Sequence, residues 1–221
     1  RQTLTAPAGY SKLVTDVLSD ICEQTFFPGV NLIEATSDTG VFVSVSSTFK
    51  RLATKISKIT NDLRLLSSGP RAGINEINLP ARQAGSSIMP GKVNPVIPEA
   101  VNEIAFTVIG NDLTVTMAAE AGQLQLNAFE PIIARSLMMS VVYLRQGCHI
   151  LAKFCISGIT ANVEHLRLTV ENSIGLATAL APKLGYEKTS LIAKHAAEMN
   201  MSVREAVRDL GLMTEEEFNA L

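Results

Sequence analysis

The residues best suited to chemistry lie in one short segment, residues 85–95, which reads GSSIMPGKVNP. Ser86 and Ser87 offer two hydroxyls on a glycine-led arm. Lys92 and Asn94 offer a cation and an amide, and side chains two residues apart in an extended segment point to the same side. Lys92 and Asn94 are therefore expected to form a grip for a substrate carboxylate.

A serine in this segment could serve as a base. Its hydroxyl is a poor base unless the alkoxide is stabilised by a nearby cation and by oriented backbone N–H groups. Closure of a flexible loop would exclude water and strengthen those interactions. The segment thus predicts proton abstraction beside a carboxylate, with an ordinary surface turn as the alternative, since Gly, Ser, Pro and Asn are typical of turns.

Two other catalytic interpretations of the sequence fail. A phosphate-binding P-loop needs two glycines five apart followed by Lys and Ser or Thr, but Gly85 and Gly91 are six apart and Val93 replaces the hydroxyl. Residues 47–50 have the Ser-x-x-Lys spacing of a serine acyl-enzyme. The companion motifs of that enzyme class are absent, and Phe49 belongs to a helical apolar stripe.

The spacing of histidines and cysteines does not predict a metal site. The three histidines have no His or carboxylate neighbour at metal-binding spacing; they are His149, His165 and His195. The cysteines are odd in number and lack metal-ligand spacing, which favours reduced thiols in a cytoplasmic protein over disulfides; they are Cys22, Cys148 and Cys155.

A long helix is predicted over residues 42–66. Its apolar residues recur at alternating steps of three and four, which is typical of a helix packed nearly parallel to its neighbours. They are Phe42, Val45, Phe49, Leu52, Ile56, Ile59, Leu63 and Leu66. Further helices are predicted near residues 11–24, 98–121 and 131–156, with a long, functional loop over residues 67–98.

The sequence predicts an all-α fold with two parts. Residues 1–160 form a long-helix bundle domain that contains the 85–95 segment. Residues 161–221 form a small helical domain, with helices near 163–172, 189–199, 202–210 and 214–220. Within it, Ser202 with Glu205 and Thr214 with Glu217 have the spacing of helix capping boxes.

The composition of the chain limits the kinds of partner that it is expected to bind. The net charge is −2 and no basic run exceeds two residues, which argues against nucleic acid or an anionic membrane as the partner. The most apolar windows contain charged residues and are not membrane spans. Hydrophobic residues make up 47% of the chain, so part of the apolar surface is expected to be buried against other subunits.

The 85–95 segment resembles the defining pattern of the aspartase/fumarase superfamily, Gly-Ser-Ser-x-Met-Pro-x-Lys-x-Asn-Pro, at every fixed position. Other segments resemble the aspartase branch rather than the fumarase branch. They are residues 31–40 (NLIEATSDTG), 61–70 (NDLRLLSSGP), 76–81 (EINLPA), 96–100 (VIPEA) and 120–131 (EAGQLQLNAFEP).

The resemblance implies elimination of ammonia from L-aspartate to give fumarate, without a cofactor. It assigns Ser86 as the base that removes the β-proton, with an enediolate intermediate. Ser87 would bind the β-carboxylate, and Lys92 and Asn94 the α-carboxylate. Glu99 would orient a histidine supplied by another subunit, although a first-turn acid is also favoured by the helix dipole.

The resemblance also implies a longer protein. Superfamily members are roughly twice this length and tetrameric, with active sites built from three subunits, so the chain is expected to be a carboxy-terminal half that is inactive alone. The alternatives are a fumarase acting on malate, and a helical scaffold without catalysis, as in the superfamily's crystallins.

Overall fold

The computed structural model describes residues 5–69, 72–83, 85 and 91–220. The chain divides into two compact units, residues 1–64 with 81–157, and residues 65–80 with 158–221. The two domains predicted from the sequence, residues 1–160 and 161–221, stay a prediction. The elements are α1 (Tyr10–Cys22), α2 (Glu34–Ser37), α3 (Gly40–Leu66), β1 (Ile77–Asn78), α4 (Val96–Glu120), α5 (Glu130–Phe154), β2 (Thr160–Ala161), α6 (Val163–Glu171), α7 (Ala181–Leu184), α8 (Tyr186–Glu198), α9 (Val203–Asp209) and α10 (Glu215–Asn219).

The all-α prediction is confirmed, and three long helices dominate the first unit: α3, α4 and α5. The α4 and α5 helices run antiparallel, since Ile133 clusters with Ala118 near one end and Leu144 with Ala105 nearer the other. Small residues keep the two helices close, and a methyl group added to Gly147 would lie 3.4 Å from the side chain of Ile104.

The α3 helix packs on this pair through a face of small and polar residues. Its buried residues are Ser46, Ala53, Ser57 and Thr60. Half of the predicted apolar stripe lies beside that face and stays 40–44% exposed, namely Phe42, Val45, Leu52 and Ile59. The periodicity therefore predicted the helix correctly, but the α4–α5 pair covers only part of the stripe.

A partly buried cation–carboxylate contact joins α3 to α4. The Nζ of Lys50 lies 2.5 Å from one oxygen of Asp112, whose side chain is 5% exposed. The other oxygen of Asp112 is buried and has no hydrogen-bond partner among the described residues. This contact matches the antiparallel course of the two helices, because Ser57, two turns later on α3, bonds to Asn102, almost three turns earlier on α4.

The turn between α4 and α5 is fixed by buried Asn127. Its side-chain amide donates to the carbonyl of Ala118, at 2.9 Å, and its backbone N–H donates to the carbonyl of Thr36, at 3.1 Å. The α2 helix and the start of α3 are thereby tied to this turn. The α2 helix was not predicted, because four residues are too few to show a period.

The second unit has its own apolar core and a small β-ribbon. The strands β1 and β2 pair antiparallel, with Ile77 opposite Ala161 and Asn78 opposite Thr160. Residues from the 3₁₀ helix Ile174–Leu180 and from α8 and α9 form the core, among them Ala177, Leu180, Ile192, Val203 and Val207. The segment 174–184 lacks a clear helical period and was not predicted as an element.

Both predicted capping boxes are present. Ser202 accepts from the backbone N–H of Glu205, and the Glu205 carboxylate accepts from the backbone N–H of Ser202 at 2.8 Å. Thr214 and Glu217 make the same reciprocal pair at the start of α10, where the carboxylate bond is 2.9 Å. Within the described ranges, no helix is long and apolar enough to cross a membrane.

Candidate functional site

The two flanks of the chemically rich segment touch each other through their main chains. Gly85 packs so closely on Lys92 that a methyl group added to Gly85 would lie 1.6 Å from the Lys92 carbonyl oxygen. Gly91, which precedes Lys92, has a φ of 82°, a value that side chains rarely allow. Both glycines are therefore required by the backbone path at this point.

Lys92 and Asn94 lie just before the amino-terminal end of α4. Lys92 is exposed and Asn94 is half-buried. The Asn94 carbonyl accepts from the backbone N–H of Val96 at 2.9 Å, and Pro95 takes the N-cap position without a side-chain cap. The positive end of the α4 dipole thus lies next to the lysine and the amide, which suits the binding of an anion.

The two serines predicted to carry the proton transfer, Ser86 and Ser87, lie outside the described residues. Their assigned roles therefore stay predictions. Of the five residues predicted for the site, the structure describes Lys92, Asn94 and Glu99, which fall within eight consecutive positions that lead into α4.

Glu99 lies in the first turn of α4, where its charge is favourable. Its carboxylate forms a long ion pair with Arg64, with 4.0 Å between Oε1 and Nη2. Arg64 is in the last turn of α3 and donates from Nη1 to the Oδ1 of Asn102, at 3.5 Å. Sequence reasoning missed Arg64 and Asn102, and the only signal was that Asn102 lies one turn after Glu99, on the same face.

Asn102 is buried and links this charged pair to α3. Its amide group donates to the Oγ of Ser57 at 2.8 Å and to the Ser57 carbonyl at 3.3 Å. Since the NH₂ group is taken by Ser57, the side-chain oxygen faces Arg64. Two charged side chains therefore lie at the start of α4. They are the Lys92 ammonium and the Glu99 carboxylate, which pairs with Arg64.

The three histidines lie elsewhere in the chain. His195 pairs with Asp209 at 2.6 Å, a contact fourteen residues apart that sequence spacing did not reveal, and His165 bonds to the carbonyl of Ile74 at 2.8 Å. Among the described residues no group of three or more His, Cys, Asp or Glu side chains could hold a metal ion.

The cysteines that the structure describes are free thiols, with Cys22 and Cys148 exposed and Cys155 buried. Burial raises the pKa of the Cys155 thiol, while the charge of Arg82 acts in the opposite direction. Such a thiol is a poor nucleophile and contributes to the core rather than to chemistry.

Two family models match the chain. One, described as Lyase, matches residues 2–110, which include the 85–95 segment. The other, described as Fumarase C C-terminus, matches residues 176–221, within the second unit.

Curated relatives are similar along almost the whole chain. An aspartate ammonia-lyase of Pseudomonas aeruginosa is 58% identical over 96% of this chain and 45% of its own length. An aspartate ammonia-lyase of Escherichia coli is 55% identical over 98% of this chain and, again, 45% of its own length. The chain therefore spans a little under half the length of these relatives.

Solved structures share the fold. A Brucella melitensis protein described as fumarate lyase:delta crystallin, bound to cobalt, has a TM-score of 0.88 and 53% identity over 95% of this chain and 46% of its own. A class II fumarase from Schistosoma mansoni has a TM-score of 0.87 but only 31% identity, over 98% of this chain and 48% of its own.

Proposed function

Because the chain belongs to the aspartase/fumarase superfamily of lyases, we propose that it forms part of an aspartate ammonia-lyase. This enzyme converts L-aspartate reversibly to fumarate and ammonia. The observation that carries the proposal is the 55–58% identity to curated aspartate ammonia-lyases over 95% or more of the chain. The fumarase is markedly less similar, at 31% identity.

The reaction requires removal of a proton from the β-carbon, next to the β-carboxylate. Ser86 is the proposed base, and the electron pair of the broken C–H bond moves into that carboxylate to give an enediolate. Ser87 and backbone N–H groups of the loop bind the developing charge. Collapse of the enediolate forms the double bond of fumarate and expels the amine.

Lys92 and Asn94 are proposed to hold the α-carboxylate of the substrate. The exposed Lys92 ammonium and the amide of Asn94 lie beside the amino-terminal end of α4, so charge, hydrogen bonding and helix dipole act in the same direction. The touching backbones of Gly85 and Lys92 support the proposal, because they set where the serine-bearing arm departs relative to the lysine.

Glu99 is proposed to orient a histidine that another subunit of a homotetramer supplies. Its carboxylate is 44% exposed, so a second partner has access to it beside Arg64. The 221-residue chain alone is then expected to be inactive, because it lacks the residues contributed from outside it. The proposed location is the cytoplasm, where aspartate is available as a metabolite.

A spectroscopic assay tests the proposal. The intact protein that contains this chain is supplied with L-aspartate, and in parallel with L-malate, while the ultraviolet absorbance of fumarate is followed. A signal from L-aspartate and none from L-malate supports the proposal. A signal from L-malate alone identifies a fumarase, and the absence of both favours a scaffold; either outcome contradicts the proposal.

Ser86→Ala and Ser87→Ala provide the next test. Ser86→Ala is expected to lower kcat by about 10⁴-fold or more with assembly intact, since it removes the proposed base. Ser87→Ala is expected to act less severely and to raise KM as well. Equal, small effects of both variants would show that neither serine is the base.

A further inference from the structure

Arg64 contacts two residues of α4 where α3 and α4 meet. Its Nη2 is 4.0 Å from the Oε1 of Glu99, and its Nη1 donates to the Oδ1 of Asn102. Both acceptors lie on one face of α4, three residues apart. A single guanidinium therefore spans the first turn of α4 from an exposed carboxylate to a buried amide.

The buried end of this arrangement is rigid. Asn102 is 3% exposed, and its NH₂ group is fixed by two hydrogen bonds to Ser57 on α3. Its oxygen therefore faces Arg64, 3.5 Å from Nη1. Because the guanidinium is planar, this contact limits the orientations open to Nη2.

The other end of the arrangement is accessible to solvent. Arg64 and Glu99 are 42% and 44% exposed at their side chains. At 4.0 Å the guanidinium attracts the carboxylate without a short, closed hydrogen bond, and it contacts only one of the two carboxylate oxygens. A simple surface ion pair contributes little to stability. The effect of this pair is therefore sought in the orientation of the carboxylate.

Resting on the proposed function of Glu99, we propose that Arg64 is a positioning residue for the reaction. Arg64, held by Asn102, attracts one oxygen of Glu99 and so favours the rotamer in which the second carboxylate oxygen faces the imidazole N–H of the histidine from the neighbouring subunit. In this proposal Arg64 does not touch the reacting atoms, and its effect on turnover passes through Glu99.

A double-mutant cycle in the intact protein tests this inference, with fumarate formation from L-aspartate as the readout. Arg64→Met is expected to lower kcat about 10-fold, with KM changed less than about twofold, because the substrate carboxylates are held by other residues. In the Glu99→Gln background the same substitution is expected to change kcat by less than about twofold, since the carboxylate that Arg64 is proposed to orient is gone.

Arg64→Lys keeps the charge but cannot span both acceptors, so it is expected to recover part of the loss. It replaces Arg64→Met in the cycle if the methionine variant does not assemble. Lys58→Met is the matched control, because Lys58 is an exposed cation of the same helix that pairs with Asp62. This control is expected to keep wild-type kcat within about twofold.

The outcomes separate the inference from the function on which it rests. Arg64→Met with wild-type kcat, or an equal loss with and without Glu99, overturns the positioning role while the lyase assignment stands. An equal loss in both backgrounds would indicate that Arg64 supports the fold alone. A wild-type protein that does not convert L-aspartate removes the proposed function, and the inference falls with it.

Discussion

Gly85 and Lys92 meet main chain to main chain, seven positions apart, with room for a hydrogen atom but not for a methyl group. The proposed substrate-binding lysine is thus placed by direct backbone packing, and not only by the helix that follows. Any side chain at position 85 must push the Lys92 carbonyl away or move the arm that begins there.

Gly85→Ala is accordingly expected to lower kcat/KM in the intact protein by about 100-fold, since displacements of about 1 Å at a site have effects of this size. Helix content and assembly should not change. Fumarate formation measures the change in kcat/KM, and circular dichroism measures the helix content.

Gly110→Ala is the matched folding control. Gly110 lies within α4, and a methyl group added there would contact nothing within 4 Å. It should raise stability by about 0.5–1 kcal/mol, as expected for Gly to Ala in a helix. A Gly85→Ala variant with full activity would show that the backbone contact does not matter for the site.

Lys50→Met is expected to destabilise the fold by about 2 kcal/mol, because it leaves the buried carboxylate of Asp112 without its counter-charge. The figure lies below that for a fully buried pair because the lysine side chain is 45% exposed. Urea unfolding measures the change.

Lys50→Met with Asp112→Asn should recover about half of this loss, since the second substitution removes the unpaired charge. Lys58→Met is the control and should change stability by less than about 0.5 kcal/mol, because its pair with Asp62 is exposed. Purely additive effects of the first two substitutions would contradict a coupled pair.

The capping boxes predict a dependence of stability on pH. Backbone N–H bonds from Ser202 and Thr214, followed by bonds from their hydroxyls, hold the pKa of Glu205 and of Glu217 below the ordinary value of 4.5. The folded state therefore binds protons more weakly than the unfolded state. The stabilisation is complete above about pH 4.5 and is lost as the pH falls through the lower, folded-state values.

The variant with both Glu205→Gln and Glu217→Gln keeps the capping hydrogen bonds but has no proton to bind. Thermal unfolding from pH 7 to pH 3 should show a smaller decrease in Tm for this variant than for the wild type. A parallel decrease in both would mean that other carboxylates account for the acid sensitivity.

The thiols should differ in reactivity. Cys22 and Cys148 are exposed, whereas Cys155 is buried and its pKa is raised by that burial. In the folded chain a disulfide reagent at pH 8 should modify Cys155 at least about tenfold more slowly than the other two. The Cys22→Ser/Cys148→Ser variant isolates this thiol, and a fast reaction in that variant would contradict its burial.

Much of the helical architecture could be predicted from local patterns. The steps of three and four over residues 42–66 gave the long helix, and the Ser202–Glu205 and Thr214–Glu217 pairs gave two helix starts, because each pattern is complete within one element. The α2 helix and the 3₁₀ helix after α6 were missed, because they are stabilised by contacts with distant residues, as in the bond from Asn127 to Thr36.

The site residues also divide into those that the sequence reveals and those that only the folded structure brings together. Lys92 and Asn94 were proposed because they fall in the 85–95 segment, and Glu99 because it follows Lys92 at the spacing found in the superfamily. Arg64 could not be found from spacing, since its contact with Glu99 exists only when the end of α3 meets the start of α4. The roles of Ser86 and Ser87 remain predictions from the sequence alone.

The β-ribbon of the second unit also bears on how the chain is made. Asn78 bonds to Asn162, 84 residues later in the chain, and β1 has no other strand partner among the described residues. On a ribosome that adds about 5–20 residues per second, residues 65–80 emerge and then wait roughly 4–17 s before their partners exist. During synthesis the strand edge of β1 is thus available to chaperones, or to the same segment of a neighbouring nascent chain.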